Sequence, residues 1–150
     1  MKLLILNGPN INLLGTRQPE IYGYTTYDEL MELISAAAVE NTIEVDFFQS
    51  NHEGALVDAI QQAKGRYDGI VINPAAYTHT SIAILDALEA VQLPAAEVHI
   101  SDINRREAFR HISYAGKACC LHYIGQGLQG YINAMIDLKK YIEEKKETHS

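Results

Sequence analysis

Glu97 and His99 stand two apart in the apolar stretch Ala95–Ile100. In an extended strand, side chains two apart share a face. A carboxylate would therefore sit beside an imidazole near a strand end, where it can orient the ring and raise its pKa. A partly buried histidine satisfied by its neighbour fits the same pair. Arg17 and Tyr22 form a second pair, inside "NGPNINLLGTRQPEIYG" (Asn7 to Gly23). A phenol ordinarily titrates near 10. A nearby guanidinium favours phenolate, and charge partners move pKa values by roughly 1–3 units. A loop carrying both could deliver a strong base to an enclosed site; equally, Tyr22 could pack in a turn with Arg17 solvated.

The third group is "NPAAYTHTS" (Asn73 to Ser81). Asn73 is set to present its amide at a strand end, and His79 to donate to a ligand or to lie on a surface loop. Thr80-Ser81 is a plausible N-cap, and a helix starting there would offer free N–H groups to an anion. His79, His99 and Glu97 also make a two-histidine, one-carboxylate set, though without the local spacing of a metal site. Asp86, inside the next helix, reads as a solvated carboxylate.

The elements that must position these residues follow from pattern. Leu3–Leu6 is strand-like, and Ile43–Phe48 alternates with β-branched and aromatic residues. Gly69–Ile72, Ala95–Ile100 and Ala118–Ile124 complete five strands. Thr26-Tyr27-Asp28-Glu29 is a capping box opening a helix through Leu30, Leu33, Ile34 and Ala37. Helical spacing recurs over Gly54–Lys64 and Ser81–Val91, and a closing helix runs from Leu128 to about Glu144. Strands alternating with helices imply a parallel sheet covered on both faces. Right-handed crossovers make it doubly wound, and five strands at this length favour the flavodoxin-like order. Ligands of such sheets bind beyond the carboxyl ends of the strands, where all three groups fall.

The 150 residues suit one domain, 1–150, with one core, and 47% hydrophobic residues are enough to fill it. No run reaches the roughly 18 apolar residues of a membrane span. The apolar start, Leu3–Leu6, is too short for a signal peptide, so the expected location is cytoplasmic. A net charge of -7 disfavours nucleic acid. Basic residues gather at Arg105, Arg106 and Arg110, while the lysine- and glutamate-rich tail reads as a solvated helix end. Cys119 and Cys120 are adjacent, lack metal-ligand spacing and read as buried strand residues. The opening loop holds no G-x-G-x-x-G and no Gly-Lys-Ser/Thr, so it is no phosphate cradle. Gly8, Gly15 and Gly23 with Pro9 and Pro19 suggest a hinged lid over about residues 8–25.

Five stretches, "LNGPNINLLGTRQPEIYG", "FFQSNHEGALVDAI", "GIVINPAAYTHTSIAILDAL", "EVHIS" and "REAFRHISY", span residue 6 to about 114. In them the chain resembles the type II 3-dehydroquinate dehydratases, cofactor-free enzymes of the shikimate and quinate pathways. The resemblance implies a flavodoxin-like lyase that converts 3-dehydroquinate to 3-dehydroshikimate through an enolate. It makes Tyr22 the base that takes the axial C2 proton and Arg17 the residue that lowers the phenol's pKa. Asn12 would hold a water on the enolate. His99 would protonate the departing C1 hydroxyl, oriented by Glu97. Asn73, His79, the backbone of Ile100 and Ser101, and Arg110 would hold the substrate's hydroxyls and carboxylate. Asp86 would reach the site from a neighbouring subunit of a dodecamer built as a tetramer of trimers.

The chemistry agrees. A proton α to a ketone is weakly acidic, so its removal needs a strong base and a stabilised oxyanion. Hydroxide leaves poorly unless protonated, and an arginine fork suits a carboxylate. No metal, flavin or Schiff base is needed, and no lysine lies in the matching loops. Two departures stand out: Asp102 where asparagine is expected, and the atypical segment around 115–124. The fold alone also permits a module binding FMN or another phosphate-bearing ligand, or a metal-assisted hydrolase using His79, Glu97 and His99.

Overall fold

The computed structural model describes residues 1–16 and 18–148. Its strands are β1 (Lys2–Asn7), β2 (Glu44–Gln49), β3 (Gly69–Asn73), β4 (Ala95–His99) and β5 (Leu121–Ile124). Its helices are α1 (Pro19–Tyr22), α2 (Tyr27–Glu40), α3 (Glu53–Ala63), α4 (Ile82–Val91) and α5 (Gln129–Thr148). All strand pairs are parallel, in the order β2-β1-β3-β4-β5, the flavodoxin-like arrangement.

The near-continuous apolar run of β1 has a physical reason. Alternate residues enter two cores, one on each face of the sheet. Leu3 and Ile5 pack with Leu30 and Ile34 of α2 and with Tyr131, Met135 and Leu138 of α5. Leu4 and Leu6 pack with Leu56 and Ile60 of α3 and Ile84 and Leu88 of α4. Each fully buried aliphatic side chain contributes about 1.5–3 kcal/mol. A one-residue slip of β1 would exchange the two sets, so the register is strongly specified. Among the described residues no helix is long and apolar enough to cross a membrane.

Local chemistry sets the helix starts. The Thr26 hydroxyl accepts from the Glu29 N–H at 3.2 Å and caps α2. Ser81 caps α4 in the same way, accepting from the Ile84 N–H at 3.0 Å.

Several boundaries differ from the sequence expectation. The last strand starts at Leu121, because Ala115–Ala118 forms a short 3-10 turn. The Gly116 N–H donates to Ser113 Oγ at 3.0 Å there. Cys119 and Cys120 accordingly precede the strand, and Cys120 is exposed. Burial pushes both thiols up, so neither is a ready nucleophile. The closing helix continues past Glu144 to Thr148, with Lys139 and Glu143 paired one turn apart at 3.9 Å. The long opening loop is partly helical, with a 3-10 turn at Ile11–Leu13 and the single turn α1.

Candidate active site

The chain runs from β1 out to β2 and returns to β3, so strand order reverses between β1 and β3. At that switch point Asn7 pairs in register with Asn73. The Gly8 N–H donates to the Asn73 carbonyl at 2.8 Å, and a Cβ on Gly8 would overlap the Pro74 carbonyl oxygen. Glycine is thus required where the opening loop leaves the sheet beside the next strand end. A cleft opens above, lined by Tyr22, Asn73, His79, His99, Ile100, Ser101, Arg106 and Arg110 among others.

The cleft floor is built by β4. Glu97 and His99 are both buried, at 3% and 5% exposure, and His99 Nε2 lies 2.9 Å from Glu97 Oε2. The Ser113 hydroxyl donates to the same oxygen at 2.7 Å. His122, facing Glu97 across the β4–β5 pairing, binds the other oxygen through Nδ1. Burial alone would raise the Glu97 carboxyl. Hydrogen bonds from His99, Ser113 and His122 outweigh burial and hold it at about 2. An ionised carboxylate only accepts, so the His99 Nε2 must carry a proton and Nδ1 is the nitrogen left for other partners. Gly116 packs so close to this carboxylate that a Cβ there would overlap Glu97 Oε1.

His79 stands on the next loop. Its Nδ1 lies 2.7 Å from the Ile112 carbonyl, which can only accept. Burial lowers its pKa against the opposing pull of that carbonyl. Neutral His79 therefore spends its N–H on Ile112 and turns an acceptor, Nε2, to other partners. The ligand-facing donor expected of it arises only when the ring is protonated.

Tyr22 is the last residue of α1, between Gln18 (φ 40°) and Gly23 (φ 80°), which both turn left-handed. Its hydroxyl accepts from Arg106 Nη1 at 2.9 Å, and the Arg106 guanidinium lies 5.9 Å from its ring centroid. The sequence singled out Arg17 as the partner of Tyr22, but Arg17 lies outside the described residues. Arg106 was legible only as one of three clustered arginines. Arg110 lines the cleft with its Nε held by Glu107 Oε2 at 2.7 Å, which leaves the outer guanidinium nitrogens available.

Two expected residues are not among those lining this cleft. Asn12 is exposed and accepts from Gln49 Nε2 at 3.3 Å. Asp86 is exposed on α4 and is not among the cleft residues. Asp102, the departure from the expected asparagine, accepts from the Asn104 N–H at 3.0 Å and lies 3.6 Å from Arg105 Nε. Among the described residues no group of three or more His, Cys, Asp or Glu side chains is disposed to hold a metal ion.

Residues 1–139 match the family model described as dehydroquinase class II. The 3-dehydroquinate dehydratase of Geotalea daltonii is 50% identical over 144 residues, covering 96% of this chain and all of the relative. The protein of the same name from Corynebacterium glutamicum (strain R) is 49% identical, covering 93% and 98%. The crystal structure of type II dehydroquinase from Butyrivibrio crossotus is 51% identical, with a TM-score of 0.91, and covers 93% and 97% of the two chains.

Proposed function

The chain belongs to the class II dehydroquinase family and is a 3-dehydroquinate dehydratase, a lyase of the shikimate pathway; we propose that it works through an enolate, with Tyr22 as base and His99 as acid. The observation that carries this reading is one cleft with two opposite chemistries. On one side a phenol hydroxyl accepts from a guanidinium at 2.9 Å. On the other an imidazole lies 2.9 Å from a carboxylate held ionised at about 2.

Tyr22 as phenolate takes the axial C2 proton of 3-dehydroquinate. Arg106, already on its oxygen, stabilises the anionic form; Arg17 is assigned the same task. The electron pair left on C2 is delocalised into the ketone to give the enolate, whose oxyanion is served by a water on Asn12. The enolate then collapses and expels the C1 hydroxyl as His99 donates its Nδ1 proton. One C–H and one C–O bond break, a C=C bond forms, and one water leaves. Ionised Glu97 stabilises the imidazolium before that transfer. The proton gained by Tyr22 returns to His99 through solvent, which closes the cycle. Arg110 binds the substrate carboxylate with its remaining fork. Asn73, His79 and the backbone of Ile100 and Ser101 bind the hydroxyls, with neutral His79 as an acceptor. No step requires a metal or an organic cofactor.

We further propose a cytoplasmic homododecamer, a tetramer of trimers, in which Asp86 of one subunit completes the cleft of another. In support, the isolated chain exposes Ile82 on α4, beside Asp86, and Phe109 and Ile112 near Arg110, each more than half exposed. The loop of residues 8–25 would act as a lid on a single catalytic domain, 1–150.

Purified protein mixed with 3-dehydroquinate and chelator, with no added cofactor, tests the reading. Growth of the ultraviolet absorbance of the conjugated product is expected. A flat trace with substrate still bound would make this a binding protein.

A further inference from the structure

Tyr131 of α5 is fully buried, yet its hydroxyl is fully engaged. It donates to Asn7 Oδ1 at 2.7 Å and accepts from Asn73 Nδ2 at 2.8 Å. Asn73 Oδ1 in turn accepts from the Ala75 N–H at 3.1 Å. Ala75 has φ 54°, a left-handed backbone that costs a residue with a Cβ of order 1–3 kcal/mol. Both Asn73 and Ala75 line the cleft.

Donor and acceptor accounting fixes this chain. The Ala75 N–H can only donate, so the Asn73 oxygen must face it and Nδ2 must face α5. Nδ2 has two hydrogens. One goes to Tyr131, and no described residue accepts the other. A flipped Asn73 amide would set Oδ1 against Tyr131 and leave two N–H donors facing each other at Ala75. Asn7 has spent its oxygen on Tyr131, while its buried Nδ2 has no partner of hydrogen-bonding geometry. The Asn7 oxygen thus takes the phenol's proton, which leaves the phenol oxygen to accept from Asn73.

We infer that Tyr131 is a positioning residue for substrate: the α5 phenol, between Asn7 and Asn73, locks the Asn73 amide so that its free N–H serves the cleft and its oxygen holds the strained Ala75 backbone. The inference rests on the assignment of Asn73 to substrate binding. It brings α5, otherwise a packing helix, into the reaction without touching the reacting atoms.

A double-mutant cycle of Tyr131→Phe and Asn73→Ala, read as kcat and KM for 3-dehydroquinate beside thermal unfolding, tests it. Tyr131→Phe is expected to lower kcat/KM about five- to tenfold, the size of one lost orienting hydrogen bond. In the Asn73→Ala background the same change is expected to alter kcat/KM less than twofold, while its effect on unfolding persists. Equal losses of kcat/KM in both backgrounds would reduce Tyr131 to a structural residue. Full activity in Tyr131→Phe beside a damaged Asn73→Ala would overturn the inference and keep the site. Full activity in Asn73→Ala would overturn the site assignment and the inference with it. Should Tyr131→Phe fail to fold, Asn7→Ala, which removes the acceptor orienting the phenol, carries the same expectations.

Discussion

The cleft has two halves that hold their chemistry differently. The floor hangs from β4: Glu97 and His99 are almost wholly buried, and the carboxylate receives donors from three different segments. The opening loop carries Tyr22 on a single helical turn with no buried residue, flanked by left-handed backbone. Its phenol is reached by Arg106, 84 residues away in the chain. The proposed acid is thus fixed by packing, so no further ordering is needed at the moment of reaction. The proposed base is held by a guanidinium that approaches from another part of the chain.

The largest effect should come from the exposed half. Tyr22→Phe is expected to lower kcat about 10³-fold, within the range of general base catalysis, with substrate affinity nearly unchanged in calorimetry. Normal turnover in that variant would remove the base assignment. Next is the packed half. Gly116→Ala drives a methyl into the Glu97 carboxylate, so a loss of about 1–3 kcal/mol in urea unfolding and a tens-fold loss of kcat are expected. Unchanged values would mean that the floor yields more than its packing suggests.

Arg106→Ala, which removes the guanidinium from the phenol oxygen, should cost roughly tenfold in kcat with little change in stability. Unchanged turnover would mean that the Arg106 contact does not assist the proposed base. The smallest effect concerns pH and stability. The Glu97 carboxyl, at about 2 against an ordinary 4.5, contributes stability that is complete above 4.5 and is lost as pH falls through 2. The loss amounts to about 3 kcal/mol. Denaturation of Glu97→Gln across that window should be flatter than that of the parent; parallel curves would place the acid sensitivity elsewhere.

Local pattern carried much of this into the sequence. The capping box at Thr26, the apolar run of β1 and the two-residue spacing of Glu97 and His99 are short-range signals, and the structure realises each. Contacts without local period were not legible. Arg106 meets Tyr22, Ser113 and His122 meet Glu97, and Tyr131 meets Asn73 across 58 residues only because the sheet closes. The segment before β5 misled for a related reason. Ala118, Cys119 and Cys120 read as strand, whereas the Ser113 hydroxyl, itself turned to Glu97, accepts from Gly116 in a 3-10 turn that ends at Ala118. The sequence left His79 open between a ligand donor and a surface-loop residue, because spacing cannot reveal that the Ile112 carbonyl takes its N–H.

The division of labour between loop and floor is tested most directly by hydrogen exchange at C2 in heavy water. With the acid removed by His99→Ala, the enolate should still form on Tyr22 and be reprotonated from solvent. Recovered 3-dehydroquinate should then gain deuterium at C2 faster than product appears, and Tyr22→Phe should show neither exchange nor product. Exchange that survives in Tyr22→Phe, or is absent in His99→Ala while substrate binds, would contradict a base on the loop working against an acid on the floor.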